Sequence, residues 1–382
     1  MTRKVILTLI GITLVAGGWA VWPSRPTVQP TPSGSQPPAL EWLKLPDGFR
    51  AMLFAEGLTN PRVLAFDPNG RLAVSETSAG KVVKLEDKNN DCLAESRTEL
   101  LTGFDKPHGL VFYTDPAKQT YLYVATVREV RRYLYDSETG NLLETTGKNI
   151  ANLPAAGRHF TRTIGFGPNY RTAPIIQGFK QDATLSQTKL YISVGSTCDV
   201  CLENSWKYAA MLESDPEGNY TAELAGGLRN AVFFTFHPEN KALWTTEMGR
   251  DNLGDNLPPD EVNIIRAAGP EHTAGARRYG WPYCYGQRIK DTKFSGRTAD
   301  RPDIPADCAQ TEAPVLEIPA HSAPLGLAFI TGNDWPKQWQ NHLLVAYHGS
   351  WNRSTPTGYK VVRFQLDQDG KPLPATAEDF IT

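Results

Sequence analysis

Five stretches of the chain share one order of apolar and polar positions. In each, an apolar run ends at a phenylalanine, a turn that often contains proline follows, and a second apolar run comes next, as in VLAFDPNGRLAVSE. The five anchoring residues are Phe66, Phe112, Phe166, Phe236 and Phe329. Short apolar runs bounded by turns are typical of β-strands, and a repeated unit of about 40 to 50 residues made only of strand and turn is typical of a β-propeller. The pattern therefore predicts an all-β propeller, with a β-sandwich as the alternative.

Composition supports a globular domain of this class. The chain has 382 residues, 40% of them hydrophobic, and its 32 glycines and 29 prolines interrupt almost every apolar run, which argues against a helical bundle. The formal net charge is −2, because 39 Lys and Arg residues oppose 41 Asp and Glu residues. This balance gives no reason to expect a surface that binds polyanions, so we expect no nucleic-acid partner.

The N-terminal segment has the layout of a signal peptide or membrane anchor. Arg3 and Lys4 precede an apolar run from Val5 to Trp22, and a Pro/Ser/Thr-rich linker follows at residues 23–39. No clean cleavage site follows the run, which favours an uncleaved anchor at residues 1–22. The positive flank keeps that end cytoplasmic, so residues 40–382 are expected to fold in the periplasm or another extracytoplasmic space. The anchor would hold the domain near a membrane respiratory chain.

An oxidising compartment governs how the five cysteines are interpreted. Cys284 and Cys308 lie in one segment rich in Gly and Pro and are expected to form a disulfide that closes a long loop. For Cys198 and Cys201, in CDVC, a tight disulfide, a metal site and haem attachment are all open. Haem attachment needs a histidine where a leucine stands, and a zinc site would need a second ligand pair, so a structural disulfide is favoured. Cys92 is left over and is expected to be buried.

Several loops between the predicted strands carry residues suited to chemistry. His108, His159 and His321 each precede a Phe anchor by a few residues, so propeller symmetry places them at one axial end. Imidazole is suited to accept a proton near neutral pH. In GLRN, Arg229 and Asn230 precede a Phe anchor in the same way, and they offer a charged fork and an amide to carboxylates or to a developing oxyanion.

Two acidic stretches are candidates for a hard cation such as Ca²⁺, for which carboxylate oxygens are suitable ligands. TEMGRDNLGDNLPPDEVN holds five acidic residues within fifteen positions, with a solvated loop as the alternative: Glu247, Asp251, Asp255, Asp260 and Glu261. DKNNDCLAE resembles the start of an EF-hand loop but lacks the required Gly and final Glu, which disfavours calcium there. In HGSWNRS, Trp351 beside Asn352 and Arg353 is suitable for a planar cofactor or a sugar.

Taken in order, these motifs resemble one known family. The carriers of the resemblance are GRHFTRTIGFGP, KLYISVGSTCDVC, GLRNAVFFTFHP, TEMGRDNLGDNLPPDEVN, RRYGWPYCYG, AHSAPLGLAF and HGSWNRSTPTGYKVVRF. They are similar to the glucose/sorbosone dehydrogenases, soluble enzymes that use pyrroloquinoline quinone (PQQ), and within that family to its sorbosone dehydrogenase-like branch. The resemblance covers about residues 45–367. It implies a six-bladed β-propeller that holds PQQ and Ca²⁺ at its axial mouth and oxidises aldoses or related carbonyl sugars.

The resemblance also implies roles for individual residues. His159 corresponds to the general base that takes the proton of the sugar hydroxyl. Arg229 corresponds to the arginine that stabilises negative charge on the quinone oxygen, and Asn230 to its cofactor-binding neighbour. The backbone carbonyls of Gly249 and Arg250 match the pair that binds the cofactor's Ca²⁺.

Three further positions are implied around the cofactor. His321 falls where a cofactor-lining residue is expected, and His108 falls near a residue that faces the substrate. Glucose-oxidising relatives use a lysine for PQQ in the stretch that here reads HGSWNRS, and Arg353 is the candidate substitute.

The predicted function is therefore PQQ- and calcium-dependent oxidation of an aldose or a sorbosone-like sugar. Two alternatives stay open: a calcium-dependent lactonase-type hydrolase, and a non-catalytic anchored propeller that binds glycans or protein partners. Only five repeat units are found between residue 40 and Thr382. We expect a propeller that lacks its final blade and has exposed strand edges between its first and last blades.

Overall fold

The computed structural model describes residues 40–155, 157–170, 188–267, 276–296, 303–367 and 370–382. Regular structure in these ranges consists of β-strands and three short 3-10 helices, Cys308–Gln310, Lys337–Trp339 and Pro374–Thr376. No helix in this part of the chain is long and apolar enough to cross a membrane. The anchor and the linker predicted for residues 1–39 lie outside the described residues.

The first three sheets follow one another along the chain and are antiparallel apart from one added strand. The first contains β1 (Pro61–Phe66), β2 (Leu72–Glu76), β3 (Lys81–Glu86) and β4 (Ser96–Leu101). The second contains β5 (Leu110–Thr114), β6 (Thr120–Ala125), β7 (Glu129–Asp136), β8 (Asn141–Leu142) and β9 (Lys148–Asn152), with β8 and β9 both paired to β7. The third contains β10 (Ile164–Pro168), β11 (Thr188–Val194), β12 (Ala210–Ser214) and β13 (Thr221–Gly226).

The last two sheets complete the described part of the ring. The fourth contains β14 (Phe234–Phe236), β15 (Leu243–Glu247), β16 (Asp260–Ile265) and β20 (Leu316–Ile318). Between β16 and β20, the strand β17 (Arg277–Arg278) joins the third sheet in parallel with β13, and β18 (Cys284–Tyr285) forms a hairpin with β19 (Ile289–Lys290). The fifth contains β21 (Pro324–Phe329), β22 (Leu343–Tyr347), β23 (Lys360–Phe364) and β24 (Glu378–Ile381).

The predicted repeat units correspond one to one to these sheets. Each Phe anchor lies in the first strand of a sheet, and the apolar run after the turn forms the neighbouring antiparallel strand. The first strands of successive sheets pack side by side, β1 against β5, β5 against β10, β10 against β14 and β14 against β21. This arrangement confirms the all-β propeller, with five blades among the described residues where the family resemblance implies six.

The first and last sheets each bury a second apolar face, because successive strand residues point to opposite faces. Residues 43–58 cover both faces, with Phe49 packed on the last sheet and Phe54 on the first. The backbone N–H of Lys44 also donates to the Thr382 carbonyl at 2.8 Å, and Lys44 accepts from the Thr382 N–H at 3.2 Å. The strand edge that we expect to be exposed here is therefore paired at Lys44, and that expectation is wrong at this position.

Candidate active site

The ring gathers its chemically interesting loops at one end. In each sheet, the start of the first strand pairs with the end of the second, as Ile164 does with Ile192 and Phe234 with Thr245. The loops that lead into β10, β14 and β21 therefore lie beside the loops that follow β11, β15 and β22. His159, Arg229 and His321 stand in the first group, as the repeat pattern predicts.

His159 is held by its neighbours in one tautomer. Its Nδ1 lies 3.0 Å from the Ser196 carbonyl oxygen and 2.9 Å from the Ser196 hydroxyl. A carbonyl oxygen only accepts hydrogen bonds, so Nδ1 carries the proton and Nε2 is left as an acceptor. Burial, followed by the positive charges of Arg229 and Arg158, lowers the pKa of His159 to about 3. The imidazole is therefore neutral at physiological pH.

Two residues fix the loop that carries His159. The buried guanidinium of Arg162 donates from Nη1 to the His159 carbonyl at 2.8 Å and from Nη2 to the Pro154 carbonyl at 2.8 Å. Gly195 lies between His159 and Asn230, where an added Cβ would stand 2.6 Å from the His159 Cβ and 2.8 Å from the Asn230 Oδ1. Close approach of these three segments therefore requires glycine at position 195.

Arg229 is only 4% exposed and is held on several sides. Its Nε donates to the Asp199 carbonyl and its Nη2 to the Asp199 Oδ1, both at 2.8 Å, and its Nη1 donates to the Met248 carbonyl at 3.2 Å. The carboxylate of Asp251 lies 3.5 Å from Nη2. A buried guanidinium needs such partners, because an unpaired charge in the interior is costly.

Asn230 lies beside Arg229 and is held by hydrogen bonds to Glu247 and Met248. Its backbone N–H donates to the Glu247 carboxyl at 3.1 Å, and its Nδ2 donates to the Met248 sulfur at 3.3 Å. Its Oδ1 is buried and has no hydrogen-bond partner among the described residues, and the same holds for the second oxygen of Glu247. Burial, with Glu261 nearby, raises the pKa of Glu247 well above its usual range.

Gly249 and Arg250, implied as metal ligands through their carbonyls, lie on the loop after β15. The Gly249 N–H donates to the Asp260 carboxyl at 2.8 Å, and the Arg250 Nη1 donates to Asp291 at 2.9 Å. Among the described residues, neither of the two carbonyl oxygens accepts a hydrogen bond. Both residues line a small pocket together with Arg229, Glu247, Glu261, Trp281 and Asp291.

The fifth sheet brings two further predicted residues to the same end. His321, with a positive φ of 65°, places its Nε2 2.8 Å from the Gly254 carbonyl. The Arg353 Nη1 donates to the Asp255 carbonyl at 2.7 Å. Asp260 connects the loop after β15 to the loop that carries His321. Its Oδ1 accepts from the Gly249 N–H, and its Oδ2 accepts from the Ala323 N–H at 2.8 Å. Burial raises the pKa of Asp260 to about 7.

His108 lies apart from this group although it stands at the same axial end. Its side chain is completely buried, and its ring packs at 5.5 Å from the ring of Phe233. Burial, followed by the positive charge of Arg62, lowers its pKa to about 3. The structure therefore gives His108 a place in the core and no open surface through which to face a substrate.

The acidic stretch does not gather its five carboxylates around one point. Glu247, Asp260 and Glu261 are buried in β15 and β16, Asp251 contacts Arg229, and Asp255 accepts from Ser354. Among the described residues, three potential ligands come within 4.8 Å of one another in two other places, Cys198 with Cys201 and Glu203, and Asp87 with Asp91 and Glu95.

Both expected disulfides are present, Cys284–Cys308 and Cys198–Cys201, and Cys92 is buried and outside them. The CDVC sulfurs are thus bonded to each other, which selects the disulfide among the three interpretations of that motif. Trp351, 72% exposed, stands on the loop that Arg353 joins to residues 255–256.

The sequence alone missed Gly195, Ser196 and Asp199 as members of the site. All three follow β11, and their roles come from contacts with His159 and Arg229, which belong to other loops. The available signals were their place in KLYISVGSTCDVC, one of the motifs that carry the family resemblance, and for Asp199 its place between the two cysteines of CDVC.

Comparisons with known proteins place the chain among PQQ-dependent relatives. A PQQ-dependent sugar dehydrogenase of Hypocrea jecorina is 24% identical over 328 residues, which cover 80% of this chain and 72% of the relative. An uncharacterised protein of Borreliella burgdorferi is 28% identical over 330 residues, 85% of this chain and 77% of that protein. The holo PQQ domain of the Coprinopsis cinerea pyranose dehydrogenase shares the fold, with a TM-score of 0.67 and 23% identity over 92% of this chain and 88% of that domain.

A family model described as TrAA12-like matches residues 43–380, nearly all of the chain that the structure describes. The resemblance to soluble PQQ-dependent dehydrogenases that the motifs carry is thereby confirmed. The protein belongs to the TrAA12-like family.

Proposed function

We propose that the protein is a PQQ-dependent sugar dehydrogenase whose active site is the end of the ring where His159, Arg229 and Asn230 meet. The observation that carries the proposal is a neutral histidine with an unprotonated Nε2 on the same end as a buried arginine that is fixed by Asp199. Two named relatives are described as PQQ-dependent sugar and pyranose dehydrogenases. An aldose or a sorbosone-like carbonyl sugar is the proposed substrate.

The residues at this end suit a planar quinone that carries carboxylates. Three of the five N–H groups of Arg229 donate to Asp199 and Met248. Of the other two, the one on Nη2 lies beside the Asp251 carboxylate at 3.5 Å, and the one on Nη1 is left for a ligand. The buried Oδ1 of Asn230 has no partner among the described residues, and a donor group on a ligand would satisfy it. Gly195 keeps the space between His159 and Asn230 narrow and free of a side chain.

When bound, PQQ supplies the hydride acceptor for the carbon of the sugar that is oxidised. The chain supplies the base: His159 takes the proton of the sugar hydroxyl on Nε2 while Ser196 keeps the ring oriented through Nδ1. A base with a pKa near 3 is weak. An anionic group at the site would offset the charges of Arg229 and Arg158, which raises the pKa of His159 toward the range in which general bases are effective.

Ca²⁺ is proposed as the second cofactor. The support is that the carbonyl oxygens of Gly249 and Arg250 accept no hydrogen bond among the described residues, and that both residues line the same pocket as Arg229. Carbonyl oxygens are suitable ligands for this ion, and the ion's positive charge would polarise an oxygen of a bound quinone.

Export to an extracytoplasmic compartment and an N-terminal anchor are part of the proposal. Two disulfides within one chain are typical of proteins that fold in an oxidising compartment. An anchored enzyme would pass its electrons to an acceptor of the membrane respiratory chain.

The test is reconstitution of the full-length protein with PQQ and Ca²⁺, followed by dye reduction with a panel of aldoses, pyranoses and sorbosone. We expect reduction with at least one sugar, and a loss of roughly 100-fold or more in kcat for His159→Gln. His237→Gln, which changes a histidine at the opposite end of β14, serves as the control and should retain activity. Binding of PQQ without reduction by any sugar would overturn the proposal.

One observation favours a second function, a non-catalytic propeller that binds glycans. Trp351 presents 72% of its surface at the rim of the site, and an exposed aromatic ring is a suitable platform for a sugar ring. This alternative predicts no PQQ binding in a titration, together with glycan binding that Trp351→Ala abolishes. Reconstituted dye reduction would exclude it.

A further inference from the structure

The loop between β11 and β12 is closed on itself immediately beside the site. The Cys198–Cys201 disulfide joins the two sides of this loop, and the Cα atoms of the two cysteines lie 6.2 Å apart. The carboxyl of the buried Glu203 accepts from the Thr197 N–H at 2.6 Å and from the Thr197 hydroxyl at 2.9 Å, which closes the base of the same loop. The segment that the disulfide encloses is therefore fixed at both ends.

Asp199 lies inside this closed loop and is contacted from three other parts of the chain. Its carbonyl accepts from the Arg229 Nε at 2.8 Å and from the indole N–H of Trp281 at 3.1 Å. Its Oδ1 accepts from the Arg229 Nη2 at 2.8 Å and from the Asp251 N–H at 2.8 Å. The Nε–H and one Nη2–H of Arg229 are thus bound by one residue, through its backbone and through its side chain.

We propose that Asp199 is the positioning residue of Arg229, and that the Cys198–Cys201 disulfide acts on the site by holding Asp199 in place. The inference rests on the proposed function, because it concerns the arginine that receives the cofactor. An arginine has several rotatable bonds, and its free N–H groups point at a ligand only when the other N–H groups are anchored. Asp199 provides two of the three anchoring hydrogen bonds, and the third comes from Met248.

The same loop also orients the proposed base. The Ser196 hydroxyl donates to the Cys198 carbonyl at 2.7 Å, which leaves its lone pairs directed to the His159 Nδ1. The Ser196 N–H donates to the Arg229 carbonyl at 2.7 Å. The disulfide loop therefore contacts both His159 and Arg229, the residues to which the proposed function assigns chemistry. Removal of the disulfide should displace Arg229 and make the orientation of His159 less fixed.

The first measurement does not depend on activity or on the cofactor. Protein labelled with ¹⁵N-arginine reports the Nε–H of each ordered guanidinium, and Arg229→Lys assigns the signal of Arg229. In the wild type, we expect the Arg229 Nε–H to exchange slowly with solvent, because it is buried and bonded to Asp199. In the double variant Cys198→Ala/Cys201→Ala, in which the disulfide no longer holds the carbonyl of residue 199 in place, its exchange should be at least about tenfold faster. Asp199→Ala keeps that carbonyl as the acceptor of the Nε–H, so the loss of its carboxylate is tested by the affinity for PQQ.

The second measurement is the affinity for PQQ, determined by titration in the presence of Ca²⁺ with tryptophan fluorescence as the signal. We expect roughly 10- to 100-fold weaker binding for Asp199→Ala and for the disulfide variant, as is typical when a group that orients a ligand-binding residue is removed. Asp199→Asn keeps the side-chain oxygen, the backbone carbonyl and the disulfide, so it should fold and lose less. At saturating PQQ, the KM for sugar should stay within about twofold of the wild type.

The control is Glu217→Gln. Glu217, in the turn between β12 and β13, forms a paired contact with Arg132 of β7 at 2.6 Å and 2.8 Å, so this variant alters an arginine–carboxylate pair at the opposite end of β12 from the site. It should leave both readouts unchanged. Unchanged Nε–H exchange in the disulfide variant would overturn the proposal. Unchanged or tighter PQQ binding by Asp199→Ala would also overturn it, and tighter binding would mean that Asp199 competes with the anionic ligand. Failure of the wild type to bind PQQ would refute the proposed function and leave the exchange result to decide the role of Asp199.

Discussion

Replacing Gly195 with alanine tests whether the close approach of His159 and Asn230 is needed for activity. The added Cβ would stand 2.6 Å from the His159 Cβ and 2.8 Å from the Asn230 Oδ1. The backbone of Gly195 does not have a positive φ, so the substitution introduces no conformational strain of its own. The perturbation is therefore purely a matter of space.

The size of the effect follows from these distances. An ordinary contact begins at 3.4 Å, so His159 must retreat by about 0.8 Å to admit the methyl group. Overpacking of this kind typically costs about 1–3 kcal/mol of stability. A displacement approaching 1 Å of a group that takes part in the reaction typically lowers the rate by about 100-fold. We therefore expect a folded protein with a Tm a few degrees lower and with kcat/KM lower by about two orders of magnitude.

The matched control is Gly165→Ala in the same sheet. Its Cβ would stand 2.9 Å from the Phe234 ring, which is overpacking of similar severity, but it touches neither His159 nor Asn230. The assay measures Tm and dye reduction for both variants after loading with PQQ and Ca²⁺. Comparable losses of stability are expected, with the large loss of activity confined to Gly195→Ala. Equal activity in the two variants would refute the assigned arrangement.

Three further outcomes are expected. Because burial and Arg158 lower the pKa of His159, Arg158→Ala should shift the acidic limb of the kcat/KM profile to higher pH. Because burial raises the pKa of Glu247, its contribution to stability is present at acidic pH and is lost as the pH rises above the ordinary range of a glutamate, so the Tm of the wild type should fall with rising pH more than that of Glu247→Gln. Removing the Cys284–Cys308 disulfide, whose cysteines are 24 residues apart, should lower the free energy of unfolding by about 3 kcal/mol, measured by urea denaturation.

The blades could be predicted from the sequence because their signal is local. Each unit contains an apolar strand ending at Phe, a turn and a second apolar strand. These parts lie within about 20 residues, or are separated by one insertion, and antiparallel pairing of the two strands follows from that order. The strands β17 to β19 gave no such signal, since each has two residues. The covering role of residues 43–58 was not readable either, because it depends on a contact between Lys44 and Thr382 at opposite ends of the described chain.

In the candidate site too, residues in short sequence motifs could be predicted, whereas roles that depend on contacts between residues far apart in the sequence could not. His159 and Arg229 stand in short motifs that carry a family resemblance, so they could be named in advance. Asp199 also stands in one of these motifs, KLYISVGSTCDVC, but its role could not be named, because it arises from contacts with Arg229, 30 residues away, and with Trp281, 82 residues away. Repeat symmetry predicts the axial end for His108, but symmetry does not reveal that Phe233 and the surrounding core bury it.

The charges around Arg229 indicate how this end of the ring could select a ligand. Guanidinium and carboxylate groups alternate there, and three arginines each have an aspartate carboxylate within 4 Å: Arg158 with Asp251, Arg229 with Asp199 and Asp251, and Arg250 with Asp291 and Asp199. Net positive charge is therefore not what would attract an anionic cofactor. Affinity must come from the direction of the N–H groups that the aspartates leave free, which is a property of fixed geometry. A loop that fixes Asp199 through a disulfide is a direct means of maintaining that geometry.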